Sequence, residues 1–172
     1  MRRLKDEEGA SAVEFAIVAS LLLMILFGII QFGIAYNRVQ GLNSAGREGA
    51  RTASIGAPIG DIVSRVRTAQ SLFQQADVQV NIEYCPPSLD CTNGANWTTV
   101  CSTPGTACSQ TGGNSASRPC TGACVVGSLI RVTGRVPPPG ANMNRYAIAI
   151  PLWASVRPTW TGSGTFRMEK TS

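Results

Sequence analysis

From Phe15 to Tyr36 the chain runs FAIVASLLLMILFGIIQFGIAY, 22 residues without a charge, in which Ser20 and Gln31 are the only polar side chains. As a helix this run spans about 33 Å, enough to cross the hydrocarbon core of a bilayer. A single carboxylate, Glu14, stands at its head. An acid at membrane depth costs about 2.5–3.5 kcal/mol, less near a helix end, so Glu14 requires a reason to be there. Two plainer readings stand beside a dedicated role for it. One is a secretory signal peptide removed near Ala35; the apolar core is long for that, and Asp6, Glu7 and Glu8 precede it. The other is a plain single-pass anchor in which Gly9 and Glu14 are incidental.

With the anchor set aside, 172 residues leave one modest globular domain. The net charge of +5 is spread over well-separated arginines, with no basic run and no aromatic–basic interleaving, so nucleic acid is not an expected partner. The chain holds no histidine. That removes Ser-His-Asp and Cys-His catalysis and imidazole metal sites from it, and no phosphate loop or dinucleotide fingerprint is present. No enzyme, no metal and no cofactor are expected.

Beyond the apolar run the helix is expected to continue to about residue 57. Gly41, Ala45, Gly49, Ala53 and Ala57 recur every four residues along one face, with Gly46, Ala50 and Ser54 beside them. Small residues let another backbone approach closely, which suits packing either on the chain's own sheet or against a neighbouring subunit. Glu48 and Arg51 are spaced for an ion pair. Ala57 to Asp61 is a break; Asp61 is a fair N-cap for an amphipathic helix from Ile62 to about Gln75. Val78, Val80, Ile82 and Tyr84 alternate with polar residues as in a half-buried strand. Residues 125–136 and 145–157 offer two further strand candidates, the last interrupted by Pro151 and so an edge, a bulge or two short strands. Thr159 onward reads as a polar tail. The fold class is α+β: a long N-terminal helix, an amphipathic helix and a small antiparallel sheet.

All six cysteines, Cys85, Cys91, Cys101, Cys108, Cys120 and Cys124, fall in a segment rich in Gly, Ser, Thr, Asn and Pro. Such a stretch cannot build a core of its own, so disulfides must order it, and 15 pairings are open. No CxxC pair exists, which argues against zinc and against a disulfide oxidoreductase. Disulfides need an oxidising compartment, placing the C-terminal domain outside the cytoplasm and the N-terminus inside it; basic residues flank the apolar run equally and do not decide. The segment is expected to be an insertion that exposes a contact surface.

Gly9, four small or apolar residues, then Glu14-Phe15 and the apolar run resemble the processing site of type IV prepilins, in the form found in Flp/Tad pili. The stretch GASAVEFAIVASLLLMILFGIIQFG, followed by SAGREGARTAS, is similar to the TadE-like family of pseudopilins. The resemblance covers about residues 9–57. It implies a leader over residues 1–9 that a prepilin peptidase cuts after Gly9, so that Ala10 begins the mature chain. It further implies a helical segment over 10–57, spanning the inner membrane at about 15–36, and an extracytoplasmic domain over 58–172 with the cysteine-rich insertion at 85–124. Glu14 would then meet the terminal amine of a neighbouring subunit, with Phe15 beside it, and set register. The implied partners are other pilins or pseudopilins and inner-membrane pilus assembly proteins, in a hetero-oligomer serving adhesion and biofilm formation. A chain this long fits a minor pilin or assembly factor better than the bulk pilin. The alternative is a membrane-anchored envelope binding module whose disulfide-stabilised loop is the recognition site.

Overall fold

The computed structural model describes residues 3–102, 126–137, 146–150 and 154–169. One helix, α1 (Arg3–Ser54), takes in the apolar run and the small-residue segment after it. It stops at Ser54 rather than near residue 57, and the reason is a Schellman cap. Gly56 adopts φ +76°, its N–H donates to the Ala53 carbonyl (3.0 Å), and the Ala57 N–H donates to the Thr52 carbonyl (3.4 Å). A left-handed residue costs glycine nothing, and Pro58 then prevents the helix from resuming in line.

The chain divides into two compact units. The first holds Met1–Tyr36 and Arg145–Pro158. Its helical part exposes nearly every large side chain: Val13, Phe15, Ile17, Val18, Leu21 to Phe27, Ile29, Ile30, Phe32, Ile34 and Tyr36 all face outward. The remainder is a two-stranded hairpin of β4 (Ile148–Ile150) and β5 (Ala154–Val156), paired Ile148 to Val156 and Ile150 to Ala154. The third strand candidate is therefore two short strands, and they form a sheet of their own.

The second unit, Asn37–Asn144 with Thr159–Ser172, contains the core. Helix α2 (Ile59–Ala69) starts three residues before the expected position, because the Pro58 carbonyl accepts from the Asp61 and Ile62 N–H groups. Asp61 accordingly lies in the first turn, where its charge complements the helix dipole. The helix ends at Ala69 instead of Gln75. The buried Gln70 amide is responsible: its Nε2 donates to the Arg67 and Phe73 carbonyls (3.0 and 3.1 Å), and its Oε1 accepts from the Phe73 N–H (2.9 Å). Ile59, Ile62, Val63 and Val66 are the buried stripe of α2.

Four antiparallel strands follow: β1 (Gln79–Cys85), β2 (Thr98–Ser102), β3 (Leu129–Val136) and β6 (Trp160–Arg167), in the order β2-β1-β3-β6. Val80 and Ile82 of β1 and Ile130, Val132 and Val136 of β3 are buried on one face, and each such side chain contributes about 1.5–3 kcal/mol. Leu42, Ala45, Ala50 and Ala53 of α1 are fully buried as well. The segment from Thr159, expected as a polar tail, is the edge strand β6, with Trp160, Gly162 and Gly164 turned inward. The anticipated Glu48–Arg51 pair does not form. Exposed pairs of this kind gain only tenths of a kcal/mol and lose side-chain entropy. An ion pair that does form joins Arg131 Nε to Glu83 Oε2 at 2.7 Å.

Candidate functional site

The head of α1 places Gly9, Ala10, Glu14 and Phe15 on an exposed helical segment, Phe15 at 74 % exposure. A Cβ built on Gly9 would have no neighbour within 4 Å. Glu14 makes no ion pair or hydrogen bond among the described residues, so nothing there neutralises its charge. The polar Ser20 is satisfied internally, its Oγ donating to the Ile17 carbonyl at 2.8 Å. From Gly9 to Ser54, α1 is long and apolar enough to cross a membrane, and its apolar window is not buried at all within the protein.

The small-residue stripe has a different setting. Ala45 and Ala53 are wholly buried. A Cβ on Gly49 would strike Val66 Cγ2 and stand 3.0 Å from Val132 Cγ1. On the adjacent row, a Cβ on Gly46 would lie 2.8–2.9 Å from the backbone of Ser163 and Gly164. Gly162 and Gly164 reciprocate, each lacking room for a Cβ against the α1 backbone at Leu42–Asn43 and Gly46–Arg47. From Leu42 to Ala53 this face is thus consumed by the chain's own α2 and sheet. Gly41 is the looser end, its nearest neighbour being Leu72 Cδ1 at 3.5 Å.

Cys85 and Cys91 are joined by a disulfide, with Cα atoms 5.9 Å apart. Cys101 on β2 is also disulfide-bonded. Cys108, Cys120 and Cys124 lie outside the described residues. Between Cys85 and β2 the loop is knit by local hydrogen bonds. Thr92 N–H and Oγ1 both donate to Asp90 Oδ1 (2.9 and 2.8 Å), which holds the Asp90 carboxyl below the usual carboxylate range. Asn96 Nδ2 donates to the Asp90 carbonyl (2.8 Å), and Trp97 Nε1 donates to the Cys91 carbonyl (3.0 Å). The Trp97 ring lies 4.2 Å from the Arg131 guanidinium, itself paired with Glu83 on the neighbouring strand. This stack covers the polar face of the sheet, a role no residue spacing signalled. No group of three or more potential metal ligands stands together among the described residues. A shallow groove lined by Thr52, Ala57, Asp61, Ser64, Arg65 and Thr68 presents little to a ligand, because Thr52 and Thr68 turn their hydroxyls back onto the Glu48 and Ser64 carbonyls.

These features define a protein with one helix able to span a membrane and a small α+β domain carrying a disulfide-clipped loop. Residues 9–51 match the model of the family described as TadE-like protein, so the resemblance read in the sequence holds over most of α1, a stretch that takes in Gly9, Glu14 and, of the small-residue stripe, Gly41, Ala45 and Gly49. The match supports a Tad pilus-associated protein. No curated protein and no solved structure matches the chain.

Proposed function

We propose that this chain is a structural subunit, not an enzyme: a membrane-held pseudopilin or minor pilin of a Flp/Tad pilus. A prepilin peptidase removes residues 1–9, and the helix from Phe15 to Tyr36 stores the subunit in the inner membrane with its C-terminal domain outside. The observation that carries this reading is Glu14, without an ion pair or hydrogen bond among the described residues, at the head of an apolar helical run with no buried residue, inside the segment that matches the TadE-like family. Within a filament, the amine freed at Ala10 of a neighbour supplies the opposite charge that lowers the cost of burying the acid. Other pilins and the inner-membrane assembly proteins are its partners, and adhesion and biofilm formation are the functions served. Because the small-residue face between Leu42 and Ala53 packs on the chain's own α2 and sheet, close helix–helix contact through small residues falls to the segment before Gly41.

The test is the intact mass of the protein from native membranes with the peptidase present. A chain starting at Ala10 is expected, and Glu14→Gln is expected to be cut and inserted normally while filament output falls. A chain that keeps Met1–Gly9 overturns the reading in favour of an anchored envelope binding module. That second reading draws on the Cys85–Cys91 clip and the Trp97 stack, which hold an exposed loop in one shape.

A further inference from the structure

Strand β6 runs along α1 in a fixed sense. Trp160, at its start, lies against Arg38, whose guanidinium carbon is 5.5 Å from the ring centroid. Gly164 packs at Gly46–Arg47, and the Glu169 N–H donates to the Ser54 carbonyl (3.3 Å). Val136, the last residue of β3, pairs with Trp160, while Leu129 pairs with Arg167 at the opposite end, about 23 Å away. One end of the sheet thus stands beside Arg38, two residues after the uncharged run closes at Tyr36. The other stands at Cys85, which pairs with Leu129 and begins the disulfide-clipped loop. The connection from β3 to β6 leaves and returns at the first end.

That connection carries the β4–β5 hairpin. From Tyr146 to Val156 its sequence, YAIAIPLWASV, holds no charge in 11 residues, and Arg145 and Arg157 bound it. The pairs Ile148–Val156 and Ile150–Ala154 alternate with Ala149–Ser155. Val156 is 46 % exposed, and Ala154 is exposed as well. A two-stranded hairpin gains little stability in water by itself, so this one calls for a cover. Val156 precedes Trp160 by four residues, a reach of at most about 14 Å, which tethers the hairpin near the level where the apolar run ends. The hairpin also shares a compact unit with that run, Met1–Tyr36. The bilayer that the run requires is therefore the apolar medium within reach of the hairpin in every subunit.

We infer that the β4–β5 hairpin is an interfacial membrane contact, a second and shallow foothold beside the spanning helix. Its depth follows from its backbone. A sheet of two strands has two edges, whose N–H and C=O groups hydrocarbon cannot satisfy. The hairpin accordingly stays among the headgroups and glycerol esters, where Val156 and Ile148 lose contact with water. The opposite end of the sheet, with the Cys85–Cys91 loop, is held clear of the lipid. The inference rests on the membrane-anchor reading and adds to it a contact that must be broken when the subunit leaves the bilayer.

The test uses the full chain in phosphatidylcholine–phosphatidylglycerol vesicles. Val156→Trp, with Trp97, Trp153 and Trp160 replaced by Phe, puts the sole indole on β5. Lipids spin-labelled near the glycerol ester are expected to lower its emission by about twofold or more, and lipids labelled deep in the acyl chain to lower it less. A chain that keeps only Trp97 should be quenched by neither. Phe27→Trp, with all three tryptophans replaced, reports the spanning helix and should be quenched by the deep label. Because Trp160 is buried, a second series keeps it and subtracts the emission of a chain whose sole indole is Trp160, so a folding defect of Trp160→Phe does not decide the outcome. Deep quenching at position 27 with none at position 156 overturns this inference alone. Absence of quenching at position 27 overturns the anchor reading together with it. Equal quenching of Trp97 and of position 156 puts the whole domain on the lipid and overturns the assignment to the hairpin. Unquenched emission at position 156 that moves to the blue as protein density rises gives the hairpin to a second copy instead, and overturns the lipid contact.

Discussion

The two halves of α1 use the same small residues for opposite ends. Within the uncharged run, Gly28 and Gly33 have open space where a Cβ would stand, amid exposed Leu, Ile and Phe. Farther along the same helix, Gly46 and Gly49 lie against the sheet and α2 with no room for one added carbon. Composition alone does not separate these settings. What separates them is what the rest of the chain brings up to the helix: glycines of β6 from the opposite side, so that two backbones meet with no side chain between.

The largest expected effect follows from that meeting. Gly164→Ala drives a Cβ into the α1 backbone at Gly46–Arg47, where no side chain can rotate away, and should destabilise the domain by about 3 kcal/mol or more. Unfolding of the full chain in nanodiscs, followed by tryptophan emission, measures it. Gly49→Ala meets side chains, Val66 and Val132, which can yield in part, so a loss of about 1–3 kcal/mol is expected by the same measurement. Replacing Cys85 and Cys91 together by Ser should cost about 2 kcal/mol, as expected for a short closed loop. That loss should add to that of Gly49→Ala, since the two sites share no contact. Gly28→Ala and Gly33→Ala should leave domain stability unchanged; a loss there comparable to that of Gly49→Ala would erase the distinction between the halves. The smallest effect is at Asp90. Its carboxyl is held low by Thr92, so its contribution to the loop is present above the ordinary carboxylate value of about 3.9 and is lost as pH falls through the folded value. Amide exchange at Thr92 should be protected at pH 5 and unprotected only in stronger acid.

The parts of this fold that were legible in the sequence are those written in side-chain periodicity. Val80-x-Ile82 and Ile130-x-Val132 announce β1 and β3, and the 3,4-spacing of Ile62, Val63 and Val66 announces α2. Helix ends were displaced because their stops are made by single groups, the Pro58 carbonyl and the Gln70 amide, whose partners depend on the folded path. β6 escaped notice for a deeper reason. Its inward positions are Trp160, Gly162 and Gly164, a period of two written with residues that usually signal turns. Only the proximity of α1 makes glycine the fitting choice there. β2 was hidden likewise inside a segment whose composition reads as loop. At the candidate site, Gly9 and Glu14 were visible at once, because a lone acid beside 22 uncharged residues is chemically conspicuous. The Trp97–Arg131–Glu83 stack and the Arg38–Trp160 contact were not, since each joins residues tens of positions or more apart.

The register of β6 along α1 also bears on biogenesis. Trp160 stands at Arg38, Gly162 at Leu42, Gly164 at Gly46, and the Glu169 N–H donates to the Ser54 carbonyl. Strand and helix thus climb together, and Ser163 N–H reaches Asn43 Oδ1 across 120 residues of sequence. A contact of such separation forms late, after the loop entropy of everything between has been paid. Until β6 has been synthesised and has docked, the glycine groove of α1 stays bare, so a chain cut short before Trp160 leaves Gly46 and Gly49 without the packing that only glycine permits.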